Sequence, residues 1–114
     1  TLPTWRIKED IDLLKNLGCQ LTRLSHLCLP EEVLDYLDER GIMVVSEIPL
    51  WGFDRFADPK SELARDWMTS LVTNQYNHPS VVCWSVGNEI GDYPTTNAYV
   101  KQAIAYTRTL DSTR

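Results

Sequence analysis

The chain is short of basic residues, histidine and cysteine, and it has no long apolar run. Its 11 Lys and Arg face 16 Asp and Glu, a formal net charge of −5. A phosphate backbone is gripped by clustered positive charge, so this balance argues against nucleic acid as a partner. No apolar stretch approaches the roughly 20 residues of a membrane-spanning helix, so no membrane partner is expected. Three cysteines, an odd number without a Cys-x-x-Cys spacing, stand beside only two histidines. Neither a disulfide framework nor a zinc site is expected from such a set, and no metal or cofactor is implied. Cys83 reads as a small core residue, Cys19 precedes a strand and Cys28 lies on a loop. Internal repeats, low-complexity tracts and linkers are also missing. A length of 114 residues suits one domain at most.

What the chain has is alternation. Ile7, Ile11, Leu14 and Leu17 fall on one helical face, with Thr4 as a candidate cap after Pro3 and Gly18 as the closing residue. A short strand follows over 21–25. Pro30 opens a second helix with Glu31 and Glu32 in its first turn, where acidic groups meet the positive end of the helix dipole. Val33, Leu34 and Leu37 form its inner face, and Arg40-Gly41 ends it. Residues 42–47 form a largely β-branched run. Asp58-Pro59 reads as cap and first turn of a longer helix, with Leu63, Trp67, Leu71 and Val72 as its buried stripe. Asn77-His78-Pro79 stops that helix, and His78 reads as a structural turn residue. Thr95 or Thr96 is a candidate cap for a last helix lined by Tyr99, Ala103, Thr107 and Leu110. Strands alternating with helices imply an α/β fold with parallel strands and right-handed crossovers.

The most informative run is Val81-Val82-Cys83-Trp84-Ser85-Val86-Gly87-Asn88-Glu89. An apolar run of this length, bounded by a glycine, reads as a buried parallel strand. Side chains alternate along a strand, so Cys83, Ser85, Gly87 and Glu89 share one face and Val82, Trp84 and Val86 the other. Small residues suit a crowded barrel interior, and the second set suits packing against helices. Glu89 then points to the barrel mouth with Asn88 beside it, at the strand end where barrel enzymes carry their catalytic groups. The alternative for Asn88-Glu89 is a helix cap or a solvated turn.

At these residues the chain resembles glycoside hydrolase family 2, the β-galactosidases, β-glucuronidases and β-mannosidases. The segment from Asp10-Ile11-Asp12 to Gly18 is similar to the family's first barrel helix. Thr22-Arg23-Leu24-Ser25-His26 resembles its Arg-x-Ser-His at the second barrel strand, and Ser46-Glu47-Ile48-Pro49 the end of its third. Asn77-His78-Pro79-Ser80-Val81 and Trp84-Ser85-Val86-Gly87-Asn88-Glu89 resemble the fourth-strand signature. Asp111-Ser112-Thr113-Arg114 resembles an Asp-Pro-Thr-Arg that leads to the fifth strand. One departure bears on substrate choice: Leu27-Cys28-Leu29-Pro30 stands where the family carries Tyr-Pro after Ser-His.

The resemblance implies a partial TIM (β/α)8 barrel over residues 1–114, with about three strands and four helices. A complete barrel takes about 250 residues, so the chain reads as roughly the first half, its later strands absent. Three strands alone leave the interior face wet and two edges unpaired. The rest of the barrel, or self-association, is therefore expected to cover that face.

The implied activity is hydrolysis of O-glycosidic bonds in β-galactosides, β-glucuronides or related sugars, with retention of configuration. Such chemistry uses two carboxyl groups about 5–5.5 Å apart. The resemblance assigns the acid/base role to Glu89. That role requires a carboxyl protonated at the start, a state favoured by partial burial and a neighbouring carboxylate. Asn88 is implied to bind the sugar 2-hydroxyl. The family's nucleophile stands at the end of the seventh strand, outside this chain, and Glu47 is no substitute for it.

Glu47 is instead a candidate for a sugar hydroxyl or for support of Glu89, and an ion pair with a nearby arginine is an equal alternative. The family's counterpart of Arg23 steadies the nucleophile. Here Arg23 is expected to be unpaired or to turn to Glu47 or Glu89, since a buried guanidinium needs an acid, and the alternative is a surface arginine. His26 is a candidate for substrate contact or for holding the loop. Trp51 and Phe53 are candidates for a subsite wall, because aromatic faces stack on sugars, or for packing their own loop down. Asp92 and Tyr93 follow Glu89 on the next loop and are candidates for substrate contact, which the sequence alone does not decide. The competing functional reading is a noncatalytic carbohydrate-binding or structural remnant of such a barrel. A cellulase-like barrel hydrolase is a third, against which the Arg-x-Ser-His and Asn-His-Pro-Ser matches weigh.

Overall fold

Helices and strands alternate throughout: α1 (Thr4–Asn16), β1 (Leu21–Leu24), α2 (Glu31–Arg40), β2 (Met43–Glu47), α3 (Glu62–Gln75), β3 (Val81–Ser85) and α4 (Pro94–Leu110). This is a computed structural model, and it describes residues 2–52 and 55–114. The strands form one parallel sheet in the order β1-β2-β3. Leu21 pairs with Met43 and Leu24 with Ser46, while Glu47 pairs with Ser85. The result is three strands and four helices of a TIM-type barrel.

The two faces of the sheet differ sharply. Ile42, Val44, Ser46 and Ile48 are 0 % exposed. They share a core with Leu34 and Leu37 of α2 and Leu71 and Val72 of α3. The opposite face is open: Leu21 is 51 % and Met43 41 % exposed, although they are register partners. Cys83 lies exposed as well, so it is not the core residue its surroundings suggested. The cause is the same open face, which no element among the described residues covers. The period-2 alternation in β3 also breaks. Val44 pairs with Val81 but Val45 pairs with Cys83, which leaves Val82 as an extra bulged residue. Val82 is consequently 39 % exposed rather than packed on helices, whereas Trp84 is buried.

Helix ends follow local chemistry more closely than the sequence reading had it. The cap of α1 is Pro3, and the Thr4 hydroxyl donates across to Glu32 instead (3.2 Å). Leu17 falls past the last turn and is 71 % exposed. α2 ends on Gly41 in the left-handed conformation that glycine adopts without steric cost. α3 begins at Glu62, not after Asp58: the Ser61 hydroxyl accepts from the Ala64 N–H (3.2 Å), while Asp58 closes a separate turn on the Lys60 N–H (2.7 Å). The α3 stripe accordingly runs through Ala64, Met68, Leu71, Val72 and Gln75, with Leu63 outside it. Tyr93 caps α4 and Pro94 occupies its first position. Thr96 is the third helical residue, and its hydroxyl accepts from the Tyr93 N–H (3.0 Å).

Two acids, Asp38 partly buried and Asp111 fully so, fasten β3 in place. Asp38 of α2 accepts from the Ser80 N–H (2.8 Å) and pairs with His78 Nδ1 (2.7 Å), which fixes the turn before the strand. Asp111, just beyond α4, accepts from Trp84 Nε1 (2.8 Å), the Thr113 N–H (2.8 Å) and hydroxyl (2.6 Å), and Arg114 Nη1 (2.9 Å). The Arg114 guanidinium also lies over the Trp84 ring at 5.6 Å. Burial opposes charge on Asp111, but these four donors win and hold its carboxyl far below the usual carboxylate range. Asp111→Ala strands the Trp84 N–H in the interior and should lower stability by about 3 kcal/mol. Trp84→Phe leaves Asp111 three donors and should cost about 1 kcal/mol through the lost hydrogen bond alone. Urea unfolding midpoints of the two variants check this order.

Candidate active site

The carboxyl end of the sheet gathers five of the six residues singled out from the sequence around the sixth, Glu47. Glu47 is the last residue of β2 and is 0 % exposed. Its carboxylate accepts from Arg23 Nε (3.2 Å) and Nη2 (2.8 and 3.0 Å), from the Ser85 hydroxyl (2.5 Å) and from the His26 N–H (3.0 Å). His26 Nδ1 lies 2.7 Å from the same carboxylate. Burial alone would push this carboxyl upward. The hydrogen bonds from Ser85, Arg23 and His26 outweigh it and hold Glu47 below its ordinary value of 4.5. The ion pair that stood as one alternative for Glu47 is therefore present, and Arg23 turns to Glu47 rather than Glu89.

Arg23 bridges further. Its Nη2 also donates to Asn88 Oδ1. His26 is half-buried, and its ring stacks on Trp51 at 6.1 Å with an interplanar angle of 25°. Trp51 Nε1 in turn donates to Glu89 Oε2 (3.1 Å). Phe53, the other aromatic candidate on this loop, lies outside the described residues. The loop after β2 and the loop after β3 are joined by a short parallel bridge. The Asn88 N–H donates to the Leu50 carbonyl and the Gly52 N–H to the Asn88 carbonyl, both at 2.9 Å.

That bridge depends on Gly87. A Cβ there would meet Leu50 Cδ2 at 2.9 Å and Ile90 Cγ2 at 3.3 Å, and φ is +149°, where side chains are rarely tolerated. The Tyr99 hydroxyl supports the same turn from α4 by donating to the Val86 carbonyl (2.8 Å), and burial pushes its pKa up to about 12. Two non-glycine residues among those described have positive φ, His26 (54°) and Glu89 (50°). Strained backbone of this kind clusters at functional sites. Here it also corrects the strand argument: β3 ends at Ser85, so the left-handed turn, not strand alternation, sets the direction of Glu89. Glu89 is exposed, against the partial burial expected. Asp92 is turned to α4, where it accepts from Asn97 Nδ2 (2.7 Å).

Ser85, by size a small filler of the barrel interior, is the member of this cluster whose role its residue type does not announce. The inward face of residue 85 was legible, but its pairing with Glu47 depends on the register across the bulge.

Polar and charged side chains gathered at the carboxyl ends of parallel strands, on loops bridged to one another, occupy the place where barrel enzymes carry their sites. The chain belongs to the family 2 glycosyl hydrolases: the family model described as "Glycosyl hydrolases family 2, TIM barrel domain" matches residues 1–114. It is 38 % identical over 110 residues to a β-glucuronidase of Rattus norvegicus and 36 % to that of Homo sapiens, in each case over 93 % of this chain and 17 % of the relative. Among solved structures, the β-D-glucuronidase of Dictyoglomus thermophilum superimposes on 99 % of the chain with a TM-score of 0.90 and 33 % identity, using 22 % of its own length. A β-galacturonidase of Eisenbergiella tayi bound to galacturonate superimposes with a TM-score of 0.86 at 27 % identity, over 99 % of this chain and 21 % of its own. The chain thus spans about one sixth of the length of the curated relatives it matches.

The depressed Glu47 pKa makes a signed prediction. A carboxyl held below 4.5 in the fold stabilises it fully above that pH and loses the contribution as pH falls through the lower folded value. Thermal melts of wild type and Glu47→Gln between pH 6 and about pH 2 should converge on acidification, because only the wild type loses this term. Parallel acid profiles would remove the assignment.

Proposed function

We propose that this chain is the acid/base-bearing first half of the catalytic barrel of a retaining β-glycosidase, with β-glucuronides as the first substrates to try. The observation that carries the reading is Glu89 at the carboxyl end of the sheet, adjoining Asn88, with its carboxylate accepting from the Trp51 indole. Glu89 is the proton donor to the departing glycosidic oxygen and later the base that activates water. Asn88 binds the sugar 2-hydroxyl, a hydrogen bond that strengthens as the oxocarbenium-like transition state forms. Trp51, 60 % exposed, and His26 present their stacked rings to the sugar. The nucleophilic carboxylate comes from a later strand of the complete barrel, which also covers Leu21, Met43 and Cys83 on the open face. The preference for uronides draws on the names of the similar enzymes, which are β-glucuronidases and a β-galacturonidase.

The test uses the complete enzyme and a panel of aryl β-glycosides of graded leaving-group ability. Glu89→Gln should lower kcat/KM by about 100-fold or more for poor leaving groups, which need the acid, and far less for activated ones. Azide, an external nucleophile that needs no base, should restore turnover of the activated substrates and yield the β-glycosyl azide. Equal loss across the panel without azide rescue would remove Glu89 from the role. Absence of a second strand-end carboxylate downstream would favour the noncatalytic remnant.

A further inference from the structure

Glu47 touches both loops of the site without reaching open space. Its carboxylate is 0 % exposed beneath Arg23, His26 and Ser85, and the donors just described occupy both of its oxygens. Two chains of contact leave it. One runs through Arg23 Nη2 to Asn88 Oδ1. The other runs through His26, which the carboxylate grips at both its N–H and its ring, to the stacked Trp51 and on to Glu89 Oε2.

We infer that Glu47 is a positioning residue, one buried negative charge that sets the orientation of Asn88 through Arg23 and of Glu89 through His26 and Trp51. This inference rests on the acid/base reading of Glu89 and departs from a role for Glu47 in binding sugar. The physical case is that of a preorganised constellation. Arg23 is 43 % exposed, and a long side chain so exposed would sample many rotamers without a fixed anion at its root. His26 sits at φ +54°, a conformation the surroundings must impose, and the bond from its own N–H to Glu47 is a direct means of imposing it. Replacing the charge by a neutral amide removes the acceptor for one or more of these donors and frees both arms at once. Misplacement of a reacting group by about 1 Å costs on the order of 100-fold in rate.

The experiment compares Glu47→Gln, Trp51→Phe and Glu89→Gln in the complete enzyme on the same leaving-group panel. Glu47→Gln should lose about 100-fold in kcat on poor leaving groups and markedly less on activated ones, with KM little changed. That selectivity is the signature of a displaced proton donor, and a general loss of folded enzyme would not produce it. Trp51→Phe cuts only the last link, at an exposed residue, and should show the same selectivity at smaller amplitude. If Glu47→Gln fails to fold, Trp51→Phe decides alone: selective loss supports the inference, and uniform loss or a pure KM effect overturns it. With a folded Glu47→Gln, displacement of Asn88 lowers kcat on every substrate alike and displacement of Glu89 adds the leaving-group selectivity, so a loss without that added selectivity, or one confined to KM, overturns the inference that one charge sets both. Glu89→Gln separates the two readings, because lack of selectivity there defeats the acid/base assignment itself. Selectivity there, but in neither of the other variants, defeats only the positioning role.

Discussion

A carboxylate with no solvent exposure has to be neutralised and hydrogen-bonded or the fold will not keep it charged. At Glu47 that requirement shapes everything nearby. It calls Arg23 across from β1 and Ser85 across from β3, so the C-terminal ends of all three strands are tied by polar contacts where the apolar core stops. It also draws in the chain just after β1 through the His26 N–H. The hydrophobic face holds the helices on the sheet, and this single charge sets the relative position of the strand ends. A buried ion pair adds little net stability, because desolvation consumes most of the Coulomb gain. Its value here is geometric.

The same region departs from the easiest backbone. His26 and Glu89 lie in left-handed conformations, and Gly87 lets the Leu50 backbone approach to hydrogen-bonding distance of Asn88. Such departures persist only where surrounding contacts over-determine them. The surrounding contacts are on hand: the Glu47 carboxylate for His26, the Leu50–Asn88–Gly52 bridge and the Tyr99 hydroxyl for the turn before Glu89. Stability is concentrated on the helix side of the sheet and specificity of geometry at its carboxyl edge.

The alternating architecture was legible in the sequence because each element carries its own periodicity and punctuation. Gly41 and Pro30 marked the ends of α2, and the β-branched run marked β2. The candidate site was legible through residue type at strand ends and through the family resemblance, whose motifs contain Glu89, Asn88, His26 and Arg23. Quantities that depend on pairing between distant segments were hidden. The bulge at Val82 shifts the register of β3 against β2, and no local pattern announces it. The Ser85–Glu47 contact follows from that register. Helix starts at Ser61 and Tyr93 were missed in favour of Asp58 and Thr95 or Thr96, because several residues with capping chemistry stood close together and tertiary packing chose among them. Cys83 was misjudged for a different reason: alternation reports which face a side chain takes, not whether anything lies above it.

The carboxylate of Asp111 has a bearing on how such a barrel tolerates rearrangement. It binds the Trp84 indole, so the strand that leads to the proposed acid is moored on its far side by residues that follow α4. New termini introduced between residues 110 and 114 would cut that mooring, and the loosening would be felt at the mouth. Among the described residues ahead of α1, Leu2 stands largely in solvent, and no side-chain hydrogen bond ties Leu2 or Pro3 to the sheet. A circular permutant or domain fusion made there should leave the strand ends undisturbed.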